Sequence, residues 1–360
     1  MLSFRLRGFC PHLAAIGLGL ALSAPGCGED AITDPPPEKP FEFWTPIDLS
    51  GQVFMQLLYG HNRLYAAGAR FGAYLQDPAY FGTWKNLGLG APFPTTTIPG
   101  SGVYALTFLQ DELYAASFLP RSHLLPGIHQ WSEDDSTWVP TGDALNDAGV
   151  LYLASAGNKN LVAATIWRGI LTSQDMGCSW QQTFGQDGNI MGDYFLYDGP
   201  RALYAGGETP FFTPFLLRST DDGMTWENIT WKISGASGRV RSIAEAKEPP
   251  YPLYVFLRTS VYVSQVDTSS FMPILDTSTS GNIVLNPRDS SELWAAADSL
   301  YQSQDGGSSW SGHPLPAGGV RLGEMAVDWD RRLMAVVVWY GSDPGVVYCV
   351  NLDASSAPTP

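Results

Sequence analysis

Three copies of an acidic turn carry the residue types in this chain that most readily suggest chemistry. Each copy places an aspartate two residues after a serine, a glycine two residues further on, and then Ser or Thr followed by Trp. The repeated positions are Ser173, Asp175, Gly177 and Trp180; Ser219, Asp221, Gly223 and Trp226; and Ser303, Asp305, Gly307 and Trp310. A calcium site needs about six to eight oxygen ligands around one point. Because each turn supplies only one or two carboxylates, and the copies lie far apart along the chain, we predict no metal and no cofactor.

The same residues fit a structural role. An aspartate accepts hydrogen bonds from backbone N–H groups of a turn, and a glycine adopts the left-handed conformation that the turn requires. A serine or threonine hydroxyl hydrogen-bonds back to the backbone, and a tryptophan buries a large apolar surface between sheets. We therefore interpret these aspartate turns as parts of the fold rather than as a ligand site.

A second group of candidates combines arginine with aromatic side chains. Arg70, Arg168 and Arg258 each follow the second strand of a predicted repeat, and Trp167 and Trp339 lie at similar places. Guanidinium groups bind carboxylates, and aromatic rings are common where proteins meet their partners. We predict that these five residues contribute to ligand binding. The alternative interpretation is that the arginines only pair with the many acidic residues of the surface.

Hydrolytic chemistry would need a different set of residues. Glycoside hydrolysis uses two carboxylates that face each other across the scissile bond. Six carboxylates could lie on the relevant face, and the sequence does not select a pair among them: Asp143, Asp147, Glu208, Asp276, Asp298 and Asp343. The five histidines lack metal-ligand spacing, and no serine or cysteine nucleophile motif is present, which argues against metallohydrolase and acyl-transfer chemistry.

The elements that position these residues follow from a repeat. A string related to Leu-Tyr-Ala-Ala recurs at intervals of 40–50 residues, beginning at Leu64, Leu113, Leu161, Leu203, Leu253, Leu293 and Leu333. This period, with strand-like content, is typical of propeller blades. Turn-forming residues precede each string, a third strand leads into the aspartate turn, and the Trp opens a fourth strand. The pattern predicts an all-β, seven-bladed propeller of four-stranded antiparallel blades.

The seventh repeat ends without a fourth strand. Its sequence stops after residue 353, whereas a segment with the missing aromatic anchor, Trp44, stands before the first repeat. We predict that this N-terminal strand completes the last blade, which closes the ring and removes an exposed sheet edge. Repeats one, two and five carry degenerate versions of the aspartate turn.

The aspartate turns and the repeat resemble the Asp-box, or BNR, family of β-propellers. That family includes sialidases, sortilin-type receptors, xyloglucan hydrolases and a photosystem assembly factor, so the resemblance implies the fold but no single activity. It covers about residues 41–353 and implies that ligands bind on the face away from the turns. A sialidase would carry an Arg-Ile-Pro motif ahead of the first turn, whereas this chain has Arg63-Leu64 without the proline.

The N-terminal residues resemble an export signal. Two arginines precede an apolar stretch at residues 13–22, which is too short to be a lasting membrane anchor. The string Ala24-Pro-Gly-Cys27 resembles the lipobox of bacterial lipoproteins, in which the cysteine receives lipid, although Pro25 departs from the usual pattern. We predict a signal peptide over residues 1–26 and lipid attachment at Cys27. Plain secretion is the alternative.

The rest of the chain divides into a tether, a domain and a tail. Residues 27–40 include three consecutive prolines, which favour an extended tether. The propeller occupies 41–353, and 354–360 form a tail. Cys178 and Cys349 fall in the third and seventh blades, so their Cα atoms should lie well beyond the ~7 Å limit for a disulfide, and we predict none between them.

Composition restricts the function further. The net charge is −15, and an acidic surface repels phosphate backbones, which argues against nucleic-acid binding. We expect an exported monomer, lipid-anchored to the outer membrane or else periplasmic or extracellular. Its expected role is a non-catalytic binding or scaffolding module for an envelope protein, peptide or glycan, with membrane attachment only through the lipid. The alternative is a glycoside hydrolase or sialidase-like enzyme that acts through the face of the channel mouth.

Overall fold

Seven four-stranded antiparallel sheets follow one another along the chain. The structure is a computed structural model. It describes residues 43–47, 49, 53–68, 72–77, 82–89, 102–118, 127–142, 145, 148–185, 194–209, 211–235, 237–264, 270–341 and 345–354. Each sheet pairs its strands in the order of a propeller blade. The predicted all-β, seven-bladed fold is confirmed.

The first described strand is β1 (Trp44–Pro46), which joins the last blade. Blade 1 contains β2 (Phe54–Gly60), β3 (Arg63–Gly68), β4 (Gly72–Asp77) and β5 (Thr83–Leu89). Blade 2 contains β6 (Gly102–Leu109), β7 (Glu112–Phe118), β8 (Gly127–Ser132) and β9 (Thr137–Pro140). Blade 3 contains β10 (Val150–Ala156), β11 (Asn160–Thr165), β12 (Gly169–Ser173) and β13 (Gln181–Phe184). Blade 4 contains β14 (Tyr194–Asp198), β15 (Leu203–Glu208), β16 (Pro214–Ser219) and β17 (Glu227–Asn228).

The remaining blades follow the same order. Blade 5 contains β18 (Val240–Glu245), β19 (Leu253–Leu257), β20 (Ser260–Ser264) and β21 (Phe271–Asp276). Blade 6 contains β22 (Asn282–Asn286), β23 (Asp289–Ala296), β24 (Leu300–Ser303) and β25 (Ser311–His313). Blade 7 contains β26 (Arg321–Asp328), β27 (Leu333–Trp339) and β28 (Val346–Asn351), and β1 is its fourth strand. Within the described ranges, no helix is long and apolar enough to cross a membrane.

The N-terminal strand completes blade 7, as predicted. Trp44 pairs with Val350 in an antiparallel register, and Trp44 Nε1 donates a hydrogen bond to the carbonyl oxygen of Pro314 at 3.0 Å. The neighbouring Phe43 ring stacks on His313, with 4.6 Å between ring centroids. The strand therefore fastens blade 7 to blade 6, while the first strands of blades 7 and 1 contact each other to close the ring.

The second strands form the buried centre of every blade. All six residues of β11 are buried, because this strand has a paired strand on each side and a neighbouring blade against each face. Leu161 and Ala163 pack into the core between blades 2 and 3, whereas Val162 and Ala164 pack into the core between blades 3 and 4. The recurring Leu-Tyr-Ala-Ala string therefore reflects alternation between two apolar interfaces, in which alanine allows the sheets to approach closely.

The aspartate turns share one hydrogen-bond pattern. In the blade 4 copy, Ser219 Oγ accepts from the backbone N–H of Gly223 at 2.9 Å and donates to Asp221 at 2.8 Å. Asp221 also accepts from both the backbone N–H and the hydroxyl of Thr225, and Trp226 Nε1 donates to the Gly223 carbonyl. Ser173, Asp175, Gly177 and Trp180 form the equivalent bonds in blade 3, and Ser303, Asp305, Gly307 and Trp310 form them in blade 6.

Each complete turn packs against the preceding blade. Gly223 has a φ of 85°, and its carbonyl accepts a hydrogen bond from Thr172 Oγ1 of blade 3 at 2.7 Å. A Cβ at this glycine would lie 2.6 Å from Val162 Cγ2, so the turn fits between the blades only as glycine. Hydrogen bonds within the turn from Thr225 and Ser219 lower the pKa of Asp221, which keeps the carboxylate ionised in the turn.

The antiparallel connections give the ring two different faces. The first-to-second and third-to-fourth connections of a blade lie at one end, and the other connections lie at the opposite end. In agreement, Asn160 beside the first hairpin of blade 3 donates to the carbonyl of Asp222 in the next aspartate turn at 3.2 Å. We name this end the turn face and the opposite end the exit face. The opening of the channel on the exit face is the channel mouth.

The two cysteines of the propeller do not pair with each other. Cys349 is buried and free. The predicted signal peptide and tether lie outside the described residues.

Candidate functional site

The first strand of each blade lines the channel, and β-bulges shape its mouth. In five blades the register with the second strand shifts near the start of the first strand. The extra residues are Met55, Tyr104, Leu151, Arg241 and the pair Gly323–Glu324. A bulge breaks strict alternation and re-aims side chains, which is common beside binding sites. The side chains at these positions therefore decide the chemistry of the mouth.

One side of the channel mouth is charged. Arg241 of blade 5 interacts electrostatically with Arg321 and Glu324, which both belong to blade 7. Asn282 of the intervening blade 6 hydrogen-bonds to Glu324, and its Nδ2 donates to the Gly323 carbonyl at 2.9 Å. Blades 5 and 7 are not neighbours in the ring, so we infer that the charges of Arg241 and Glu324 influence each other through the channel that all blades share.

A third arginine and an aromatic ring extend this charged side. Arg239 stands immediately before β18 and also interacts electrostatically with Glu324. The guanidinium carbon of Arg321 lies 4.7 Å from the centroid of the Trp339 ring, which is a cation–π contact. Arg239 and Arg241 thus act on the Glu324 carboxyl group, while Arg321 is coupled to Arg241 and to the Trp339 ring.

The protonation of Glu324 sets the net charge of this group. Burial raises the pKa of Glu324 to about 7, and the charges of Arg241 and Arg239 only partly oppose the shift. Burial, and then the charge of Arg241, lowers the pKa of Arg321. Near neutral pH the Glu324 carboxyl group therefore exchanges between its neutral and its charged form beside Arg241 and Arg239.

The other side of the channel mouth is apolar. The bulge residues of blades 1, 2 and 3 are Met55, Tyr104 and Leu151, and all three are half-buried. Burial also raises the pKa of the Tyr104 hydroxyl, so the ring stays neutral. The bulges of these three blades therefore carry apolar residues at the exit-face end of the channel, and Met55 also packs against the core between blades 1 and 2.

The structure brings together only part of the ligand-binding set predicted from the sequence. Arg258 adopts a left-handed conformation with φ of 56°, and its backbone N–H donates to the Arg239 carbonyl at 2.8 Å. Arg258 and Trp339 therefore adjoin the charged side. Arg168 lies in blade 3, where its backbone N–H donates to Thr165 Oγ1, and Trp167 beside it is 37% exposed. Arg70 lies outside the described residues.

Sequence reasoning missed the residues at the centre of the mouth. The residues concerned lie in or before first strands: Arg239, Arg241, Arg321 and Glu324. The sequence pattern had instead indicated the exits of second strands. The Arg239-Val-Arg241 doublet at the start of blade 5 was a usable signal, because the first strand lines the channel of a propeller.

Two of the three carboxylates proposed for hydrolysis that the structure describes accept hydrogen bonds from neighbouring hydroxyl groups. Asp276 accepts a hydrogen bond from Ser260 Oγ, and Asp298 accepts one from Ser278 Oγ, both at 2.6 Å. Glu208 ends β15, and the other three candidates lie outside the described residues. In the part of the chain that the structure describes, no group of three or more His, Cys, Asp or Glu is placed to hold a metal ion.

Known proteins resemble this chain in fold more than in sequence. No protein-family model matches it. A xyloglucanase from a Paenibacillus species is 26% identical over 269 residues, which is 64% of this chain but 22% of that enzyme. The chain thus spans about a fifth of the length of this curated relative.

Two solved structures show the same architecture. YCF48 bound to D1 peptide superposes with a TM-score of 0.63 at 15% identity, covering 89% of this chain and 99% of that one. The GH74 xyloglucanase of Xanthomonas campestris superposes with a TM-score of 0.60 at 17% identity, covering 88% of this chain and 54% of that one. At these identities the likeness establishes a seven-bladed propeller and leaves its ligand open.

Proposed function

We propose that this protein is a non-catalytic binding module whose channel mouth recognises a peptide segment that carries both carboxylates and apolar side chains. The observation that carries the proposal is the electrostatic coupling of Arg239 and Arg241 to Glu324, and of Arg321 to Arg241, in a chain with a net charge of −15. Guanidinium groups bind carboxylates through charge-assisted and often bidentate hydrogen bonds. An anionic ligand is repelled by acidic surface and attracted by a cationic region such as this one.

The shape of the mouth favours a peptide over a small anion. The apolar side formed by Met55, Tyr104 and Leu151 lies across the opening from the arginines, so one ligand with both characters can contact both sides. The structural similarity to YCF48 bound to D1 peptide supports a peptide partner, since that propeller is matched over almost its whole length.

A screen of immobilised peptides tests this proposal. The purified propeller is applied to a library in which acidic and apolar content vary independently, and each peptide is present with a free or an amidated C-terminus. We expect selected peptides to combine acidic groups with apolar residues, and amidation to reduce binding of those whose only carboxylate is terminal. Selection that is independent of acidic content, or no selection at all, would contradict the proposal.

Glycoside hydrolysis is the second candidate, because a xyloglucanase is the curated relative that shares 26% identity with this chain. Propellers of that activity need two carboxylates across a substrate cleft. Incubation with xyloglucan oligosaccharides, aryl glycosides and a fluorogenic sialoside gives a direct test. Turnover that disappears on replacing Asp276 or Asp298 by asparagine would favour the enzyme over the binding module.

We also propose that the propeller is exported and tethered by lipid at Cys27. The support is the sequence Ala24-Pro-Gly-Cys27 after a short apolar stretch. In the native host, Cys27→Ala should move the protein from the membrane fraction to the soluble fraction. Retention of the variant in the membrane fraction would refute lipid attachment at this residue.

A further inference from the structure

A cleft of about 440 Å³ opens between blades 1 and 2, far from the channel mouth. Its position is on the turn face, since it is bordered by the first hairpins of both blades and by the degenerate turn of blade 2. Its walls contain the rings of Tyr65, Phe108 and Trp131 together with acidic side chains. Neither the predicted ligand-binding set nor the channel mouth includes any of these residues.

The cleft exists where an aspartate turn is incomplete. Blade 2 has Ser132 and Trp138, but the stretch between them is one residue shorter than in a complete turn and contains no glycine. Without the glycine, Trp138 Nε1 donates to the Leu87 carbonyl of blade 1 at 2.9 Å, whereas Trp226 donates to the glycine of its own turn. The space that a complete turn fills is therefore left open.

A matched pair of tyrosines shows the difference. Tyr254 and Tyr65 both follow the first leucine of the repeated string in their blades. Tyr254 OH donates to the Gly306 carbonyl, which belongs to the complete turn of the following blade, at 3.2 Å. Tyr65 has no such turn beside it; its hydroxyl is hydrogen-bonded to Arg63 of its own strand, and its ring forms part of the cleft wall.

The charges of the cleft favour a cation. Arg63 forms ion pairs with Asp77 and Glu133, with N–O distances of 3.3 and 3.4 Å. Asp111 lies 3.7 Å from His61, while Glu112 and Asp134 add two more carboxylates to the lining. The lining therefore holds four carboxylates against a single arginine, beside aromatic faces that attract cations.

The geometry points to a binding site for an organic cation, an ammonium or guanidinium group on an apolar stem, of the kind that a lysine or arginine side chain presents. The charged end would lie against Glu112 and Asp134, and the stem would lie along Phe108 and Trp131. The site is independent of the proposed peptide binding at the channel mouth, and either can fail without the other.

Calorimetric titration of the purified protein with small probes tests this site. Agmatine and phenethylamine should bind saturably, whereas phenylacetate and phenethyl alcohol should not. Glu112→Gln should weaken agmatine binding by about five- to tenfold, as loss of a partly buried charge pair does. Glu227→Gln, an exposed change in blade 4, should leave agmatine binding unchanged.

A graft gives the stricter test. Replacing residues 132–138 with the eight-residue sequence of Ser303–Trp310 supplies the missing residue and glycine, which should fill the cleft and abolish agmatine binding while the protein remains folded. If the graft fails to fold, the Glu112→Gln comparison decides the question alone. Equal agmatine affinity in the folded graft or in Glu112→Gln, binding of phenylacetate as tight as that of phenethylamine, or no cation binding at about 10 mM would each overturn the proposal.

Discussion

At the channel mouth, the protonation of Glu324 controls how much arginine charge is available to a ligand. Its pKa is raised to about 7 by burial, and the charged groups that face it are Arg239, Arg241 and, through Arg241, Arg321. Above this pKa the carboxylate competes with an anionic ligand for the arginines, and below it the competition disappears. A single side chain therefore links ligand binding to pH in the neutral range.

The first prediction concerns this link. Binding of an acidic peptide to the wild-type protein should tighten as pH falls from about 8 to about 6, across the pKa of Glu324. Glu324→Gln should bind as tightly at pH 8 as the wild type does at pH 6, and should lose most of the dependence. Fluorescence anisotropy over this range measures both, with Glu227→Gln as the control. A wild-type affinity that weakens as pH falls would contradict the assignment.

The second prediction concerns stability. A carboxyl group whose pKa is higher in the folded than in the unfolded state favours folding in its neutral form, so its contribution is lost as pH rises through about 7. Glu324→Gln should therefore raise the melting temperature relative to the wild type at pH 8, by the equivalent of up to about 3 kcal/mol. At pH 4, below the ordinary carboxyl pKa of 4.5, the two proteins should melt alike, and a difference of equal size at both pH values would refute this explanation.

The third prediction concerns the serine of the aspartate turns. Ser219 is buried, and its Oγ accepts from the Gly223 backbone N–H at 2.9 Å. Ser219→Ala leaves that N–H without its partner, which should cost about 1–3 kcal/mol of stability. Thermal melts should show a clear loss relative to Ser311→Ala, which removes an exposed hydroxyl. Equal melting temperatures would show that this serine does not hold the turn.

At the scale of elements, the N-terminal strand holds the ring closed. Its three residues pair with β28, and Trp44 and Phe43 contact Pro314 and His313 of the neighbouring blade. Deleting residues 41–50 should therefore lower the melting temperature of the whole domain, because blade 7 loses its fourth strand and its link to blade 6. Deleting residues 355–360 is the matched control. An unchanged melting temperature after the first deletion would contradict this closure.

The fold was more predictable than the site, for physical reasons. The recurring leucine string marks second strands that are buried on both faces, and such a pattern survives in sequence because packing requires it at every copy. In the same way, the seventh repeat lacks its aromatic residue and Trp44 stands before the first repeat, which predicted that the N-terminal strand closes the ring. The bulges at Arg241 and Gly323–Glu324 depend on the register between two strands, and the sequence period does not show which residue is extra.

The site itself combines residues that are distant in sequence. Arg241 and Glu324 interact electrostatically across the channel only because the ring places blade 5 and blade 7 around one axis. Arg258 and Trp339, which sequence reasoning did select, lie next to this group because second-strand exits surround the same opening. The incomplete turn after Ser132 was visible in the sequence, but the cleft that it leaves between blades 1 and 2 is seen only in the structure.

At the scale of the whole molecule, charge is distributed unevenly. The chain has a net charge of −15, yet three arginines converge at one end of the channel. Because the aspartate turns concentrate carboxylates on the turn face, the two ends of the ring have different chemistry. An anionic ligand should be drawn to the exit face, and its association should slow as salt screens the attraction.

The central claim is that the arginines of the channel mouth bind the carboxylates of a peptide. Its most direct test is the affinity of a labelled peptide, apolar with an acidic C-terminal end, for the Arg241→Ala/Arg321→Ala double variant. A Lys159→Ala/Arg288→Ala variant removes the same charge from exposed positions on the turn face. We predict that the mouth variant binds at least about tenfold more weakly than wild type, while the control variant binds as wild type does. Equal weakening in both variants, or none in either, would contradict the account.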